Sequence, residues 1–106
     1  MSRATVHNGV IYFGSHVAAG RQPTMTEQAR AVLTRYDELL AQNGSDKDHI
    51  IFASIYVTDM ALKSEFNDVW NQWLNPGCAP ARVCVEVGLG EGYLVEVTLI
   101  AEQIAK

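Results

Sequence analysis

The chain has little that would suit it to gripping nucleic acid, crossing a membrane or being stapled by disulfides. Its 106 residues carry 8 Lys or Arg against 12 Asp or Glu, a formal net charge of −4, and the basic residues form no cluster. Gripping nucleic acid takes several cations to displace counterions, so no nucleic-acid partner is expected. No apolar run reaches the ~18 residues that span a bilayer. The stretch "MSRATVHNGV" lacks the apolar core of a signal peptide, so no membrane association is expected. Cys78 and Cys84 are the only cysteines, too few for a spaced disulfide framework, which predicts reduced thiols and a cytoplasmic location. His7, His16 and His49 show no metal-ligand spacing with each other or with the cysteines, so no metal and no cofactor are expected.

What is present is the material of an ordinary globular fold. A hydrophobic fraction of 48% in a chain of this length predicts one compact domain over residues 1–106. A short strand around Ala4 to His7 closes at Asn8-Gly9, a strong hairpin pair, and "VIYFGS" follows as a second strand. Gly14 marks a place where another group approaches the backbone closely. Thr24 and Glu27 have capping-box spacing, and Ala29, Val32, Leu33, Tyr36, Leu39 and Leu40 recur at helical period until Asn43-Gly44 stops the helix. "HIIFASIYVT" reads as a strand. Asp59 caps a second helix whose inner stripe is Leu62, Phe66, Val69, Trp70 and Trp73, ended by Asn75-Pro76-Gly77.

The rest, "APARVCVEVGLGEGYLVEVTLIAE", reads as two strands around "GLGEG". The order β-β-α-β-α-β-β predicts an α+β fold, a sheet with both helices on one face. The other face is only partly polar, which points to a subunit interface.

Arg82 opens a run of valines, and alternation puts Arg82, Cys84 and Glu86 on one face of their strand. If the last two strands form a hairpin centred on Gly90, Cys84 lies opposite Glu96 and Arg82 opposite Thr98. Arg82 and Glu96 then become diagonal neighbours. One reading is a solvated face with an ordinary cross-strand ion pair. The other is a carboxylate receptor, since a guanidinium donates two parallel hydrogen bonds to a planar carboxylate.

The run Pro80-Ala81-Arg82, with Cys84 two residues on and Val85-Glu86-Val87 following, resembles the C-terminal signature of the RidA/YjgF family of reactive intermediate deaminases. "EFNDVWNQWL" resembles that family's second helix, with Asn67 at its characteristic asparagine, and "NGVIYFGS" resembles the strand before its substrate cleft. The resemblance implies a chorismate-mutase-like fold, a mixed sheet backed by two helices, assembling as a homotrimeric barrel with small-molecule carboxylate substrates in clefts between subunits. It implies a hydrolase of the 2-iminobutanoate/2-iminopropanoate deaminase kind, turning 2-enamine or 2-imino acids into 2-keto acids and ammonia. On that likeness Arg82 binds the substrate carboxylate and Glu96 positions water. Cys84, Asn67, Gly14, Ser15 and His16 line the cleft, although a hydrogen-bonding loop histidine is the plainer reading of His16.

The sequence departs from the family pattern in three places. It starts almost directly at the first strand, without the family's preceding cleft tyrosine. The early strand ends "FGSHVA" rather than Ser-Gly-Gln, and the last hairpin is shorter and lacks Leu-Pro. A short, divergent branch with its own substrate range is therefore expected. A non-catalytic 2-keto acid-binding trimer and a hydrolase of aminoacrylate-type substrates are the competing expectations. RNA cleavage, reported for parts of the family, fits poorly with the acidic balance.

Overall fold

A computed structural model describes residues 3–105. In chain order it contains β1 (Ala4–His7), β2 (Val10–Phe13), α1 (Met25–Gln42), β3 (Ile50–Val57), α2 (Lys63–Trp73), β4 (Ala81–Glu86) and β5 (Val95–Glu102). Short 3-10 turns at Lys47–His49 and Met60–Leu62 lead into β3 and α2. The local signals act as their chemistry dictates. Asn8 and Gly9 take φ of 51° and 75°, the left-handed pair that a two-residue hairpin turn requires. Thr24 Oγ1 accepts the Glu27 N–H at 3.2 Å and donates to the Glu27 carboxylate at 2.9 Å, closing the first turn of α1. Gly44, at φ 74°, ends the helix, and its carbonyl receives the N–H groups of Ile104 and Ala105 at 2.9 and 3.0 Å.

The sheet order is β1-β2-β5-β3-β4, antiparallel except for the parallel pair β3/β4. β4 therefore pairs with β3 and not with β5, which corrects the expected last hairpin. The reason lies in burial and connection. A strand–helix–strand unit returns its second strand parallel to the first, as α2 does between β3 and β4. β5 supplies Val95, Val97, Leu99 and Ala101, all fully buried, and these need strands on both sides and helices above. The valines of β4 suit an edge, with Val83 46% and Val85 41% exposed. Ile51 is the extra residue of a bulge between Ile50 and Phe52 and projects outward.

Both helices cover one face of this sheet. The predicted stripes meet Ile11, Phe13, Ala53, Ile55, Val57 and the β5 residues in one core. Glu65 on α2 ties the helices together, its Oε2 accepting from Thr26 N–H at 2.7 Å and Thr26 Oγ1 at 2.8 Å. The other face presents Tyr12, Phe52, Ser54, Tyr56, Val83, Val85, Glu96, Thr98 and Ile100, none of them buried. It is half apolar and uncovered by the described residues.

Candidate functional site

Arg82 is the second residue of β4 and aligns with Ala53, whose side chain is fully buried under the helices. Partners in register point to the same side of a sheet, so Arg82 faces α2. Its Nη2 donates to Asn67 Oδ1. Its Cζ lies 5.7 Å from the Phe66 ring centroid and 5.6 Å from that of Trp70. Nη1 is buried without a hydrogen-bond partner. Among the described residues the only ion pair is His49–Asp46, so no carboxylate neutralises this guanidinium.

Cys84 aligns with Ile55 and faces the same way, a half-buried thiol at the rim of the core. Glu86 follows, but its Oε1 accepts the Met60 N–H at 2.9 Å and so serves the start of the α2 segment.

Glu96 aligns with Tyr56 on the uncovered face. The expectation that Arg82 and Glu96 are diagonal neighbours is thus overturned. β3 runs between their strands, and the sheet itself separates the two side chains. Thr98 lies across from Ser54, not Arg82, and its hydroxyl is 2.5 Å from that of Ser15, also on the uncovered face. The backbone of Gly14 is engaged, its N–H donating to Arg3 O at 2.9 Å and its carbonyl lying 3.1 Å from the Tyr36 hydroxyl.

His16 lies beyond the end of β2. It bridges Val97 through two backbone hydrogen bonds of 2.9 Å, which turns its ring to the helix side. There it is buried edge-on to Tyr36, with ring centroids 5.2 Å apart. Burial is the main cause that holds its pKa below the usual imidazole value, with Arg35 and Arg3 adding repulsion. Burial likewise pushes the Tyr36 phenol up, so that it stays a neutral donor to Val97 O at 2.7 Å.

The ring seat under Arg82 is what sequence reasoning missed. Phe66 and Trp70 were legible as a buried stripe, and Asn67 beside them was the available signal. A cavity of about 840 Å³ opens elsewhere, between the 20–23 and 91–94 loops. Gln28 joins these loops, donating to Gln22 O and Gly92 O and accepting from Leu94 N–H, each at 2.8 Å. Neither Arg82 nor Glu96 lines it.

The α+β domain has counterparts among known proteins. A family model described as Endoribonuclease L-PSP matches residues 1–103. A RutC family protein of Haemophilus influenzae is 34% identical over 108 residues, covering 95% of this chain and 89% of that protein. Another, from Haemophilus ducreyi, is 32% identical over 101 residues, covering 94% and 86%. The crystal structure of a YjgF family member from Neisseria meningitidis superposes with a TM-score of 0.95 at 37% identity, covering all of this chain and 89% of that one. The chain belongs to this family, the RidA/YjgF family that its Pro-Ala-Arg run resembles.

Proposed function

We propose that this protein hydrolyses reactive 2-enamine and 2-imino acids to 2-keto acids and ammonia, in clefts between the subunits of a homotrimer. The observation that carries the reading is the state of Arg82. A guanidinium held by a neutral amide and two rings, with a buried Nη1 lacking any partner, is costly to leave alone. A carboxylate ligand would relieve that cost. The reaction class is the one that the RidA/YjgF resemblance of the Pro80-Ala81-Arg82 run implies.

The chemistry needs no strong nucleophile. An enamine tautomerises to its imine, and protonation of the nitrogen makes C2 electrophilic. Arg82 holds the carboxylate. Glu96 takes a proton from water as the C–O bond forms and returns it to the nitrogen; as the C–N bond breaks and ammonia leaves, the new hydroxyl gives up its proton to Glu96 and becomes the keto group. Cys84 forms part of the wall, and Asn67 holds Arg82. Since the sheet separates Arg82 from Glu96 within one chain, a cleft using both takes Glu96 from a neighbouring copy. The half-apolar uncovered face supports such packing.

The test is 2-keto acid release from 2-iminopropionate, generated in place by an amino-acid oxidase, comparing wild type with Arg82→Lys. Lysine keeps the charge but loses the fork. Fast turnover lost in the variant is the expected result, and no acceleration by an intact wild-type trimer would sink the proposal.

A second reading is a trimer that binds 2-keto acids without turning anything over. It is favoured by one observation: the acid nearest Arg82 along its own strand face, Glu86, is already spent on Met60. Saturable 2-oxobutanoate binding with no imine hydrolysis would select it.

A further inference from the structure

We propose that Trp70, together with Phe66, is a positioning residue for Arg82, holding the guanidinium ready for a carboxylate while leaving its charge unspent. The inference rests on the reading of Arg82 as the carboxylate receptor. Arg82 stands on an edge strand, and a long side chain there would otherwise sample many rotamers and lose that freedom on binding. What restrains it is unusual in kind. An acidic partner would fix the side chain but compete with the substrate for the same donors. Ring faces attract the cation through their quadrupole and occupy no hydrogen-bond donor. Asn67, a neutral acceptor, takes only Nη2.

The seat is itself braced. The Phe66 and Trp70 rings stack at 5.9 Å and 29°, and Trp70 leans on Trp73 at 5.6 Å and 41°. Trp73 Nε1 in turn donates to the Asp37 carboxylate of α1, 3.1 and 3.2 Å from its two oxygens. The ring that meets Arg82 is thus fixed from the helix layer, and both Phe66 and Trp70 are buried. Burial removes water that would weaken the attraction.

The experiment follows the Arg82 guanidinium by nitrogen-15 NMR, assigned with Arg82→Lys, alongside titration with 2-oxobutanoate. Wild type, Trp70→Leu and Trp70→Phe are compared. In wild type, hindered rotation should give resolved Arg82 signals. Trp70→Leu fills much of the space without a ring face; it should average those signals and weaken 2-oxobutanoate about tenfold. Trp70→Phe should restore both to within about threefold. In an Arg82→Lys background, Trp70→Leu should cost no further affinity. Wild-type signals and affinity in Trp70→Leu would overturn the proposal, as would Trp70→Phe behaving like Trp70→Leu. Should Trp70→Leu not fold, Phe66→Leu keeps the indole and should loosen the Arg82 signals, and unchanged signals there would also overturn it. Absence of 2-oxobutanoate binding by wild type would sink the receptor reading, and the guanidinium signals alone would then decide the role of Trp70.

Discussion

Arg82 and Glu96 stand on opposite faces of one sheet, because Arg82 aligns with buried Ala53 while Glu96 aligns with Tyr56. If both serve one reaction, each site draws them from two copies, and complementation follows. Arg82→Lys and Glu96→Gln chains should each be inactive alone. After unfolding and refolding together, about a quarter of the sites in a ring of three should regain both groups, from random mixing in a head-to-tail assembly. Keto-acid release by the mixture measures this, and no recovery would mean that Arg82 and Glu96 do not serve one shared site.

Glu65 should matter to stability through its contact with α1. It supplies the acceptor for both the N–H and the hydroxyl of Thr26 at the start of α1. Glu65→Ala leaves both donors to water and removes a negative charge from a helix N-terminus, a loss of about 2 kcal/mol. Glu65→Gln keeps an acceptor and should lose about half as much, roughly 1 kcal/mol. Urea denaturation of the two variants checks the order.

Gly44 is required twice over. Its φ of 74° disfavours any side chain, and a Cβ there would meet Ala105 O at 1.9 Å. Gly44→Ala should cost about 2 kcal/mol or more. Ending the chain at Gln103 removes the clash and leaves only the backbone penalty, about 1 kcal/mol. Thermal unfolding of the four combinations isolates the two parts.

His16 predicts how stability changes with pH. Its folded pKa lies below the ordinary value of 6.5, so the unfolded chain binds the proton more readily. The contribution of the neutral, buried ring is therefore complete above pH 6.5 and is lost as pH falls from there through the folded pKa. Denaturation midpoints should drop between pH 7 and pH 5, and His16→Gln should flatten that slope. His49, raised by Asp46, is exposed and acts in the opposite sense, losing its contribution as pH rises through its folded pKa.

The sequence-to-structure agreement is strongest where the signal is local. Asn8-Gly9, Thr24 with Glu27, and the apolar stripes all depend on neighbours within a turn or two, and each forms as its chemistry demands. Alternation also grouped Arg82, Cys84 and Glu86 correctly on one face of their strand. It could not say which strand lies alongside, and assuming that consecutive strands pair put Glu96 on the wrong side. The strand–helix–strand order of residues 50–86 held the better clue, since such a unit pairs in parallel. The direction of the His16 ring was hidden for a related reason. Beyond Gly14 the strand is interrupted, and the bridge to Val97 resets which way side chains point. The rings under Arg82 needed α2 to dock on β4, a contact that no spacing within either element encodes.

The position of β5 also orders events in time. Among the described strands it is the last to be synthesised, yet it lies between the β1–β2 hairpin and the β3/β4 pair. Until it emerges, those two parts share no strand contact and the helices lack Val95, Val97, Leu99 and Ala101 beneath them. Completion of the five-stranded sheet thus waits for β5, the one strand that joins the hairpin to the β3/β4 pair.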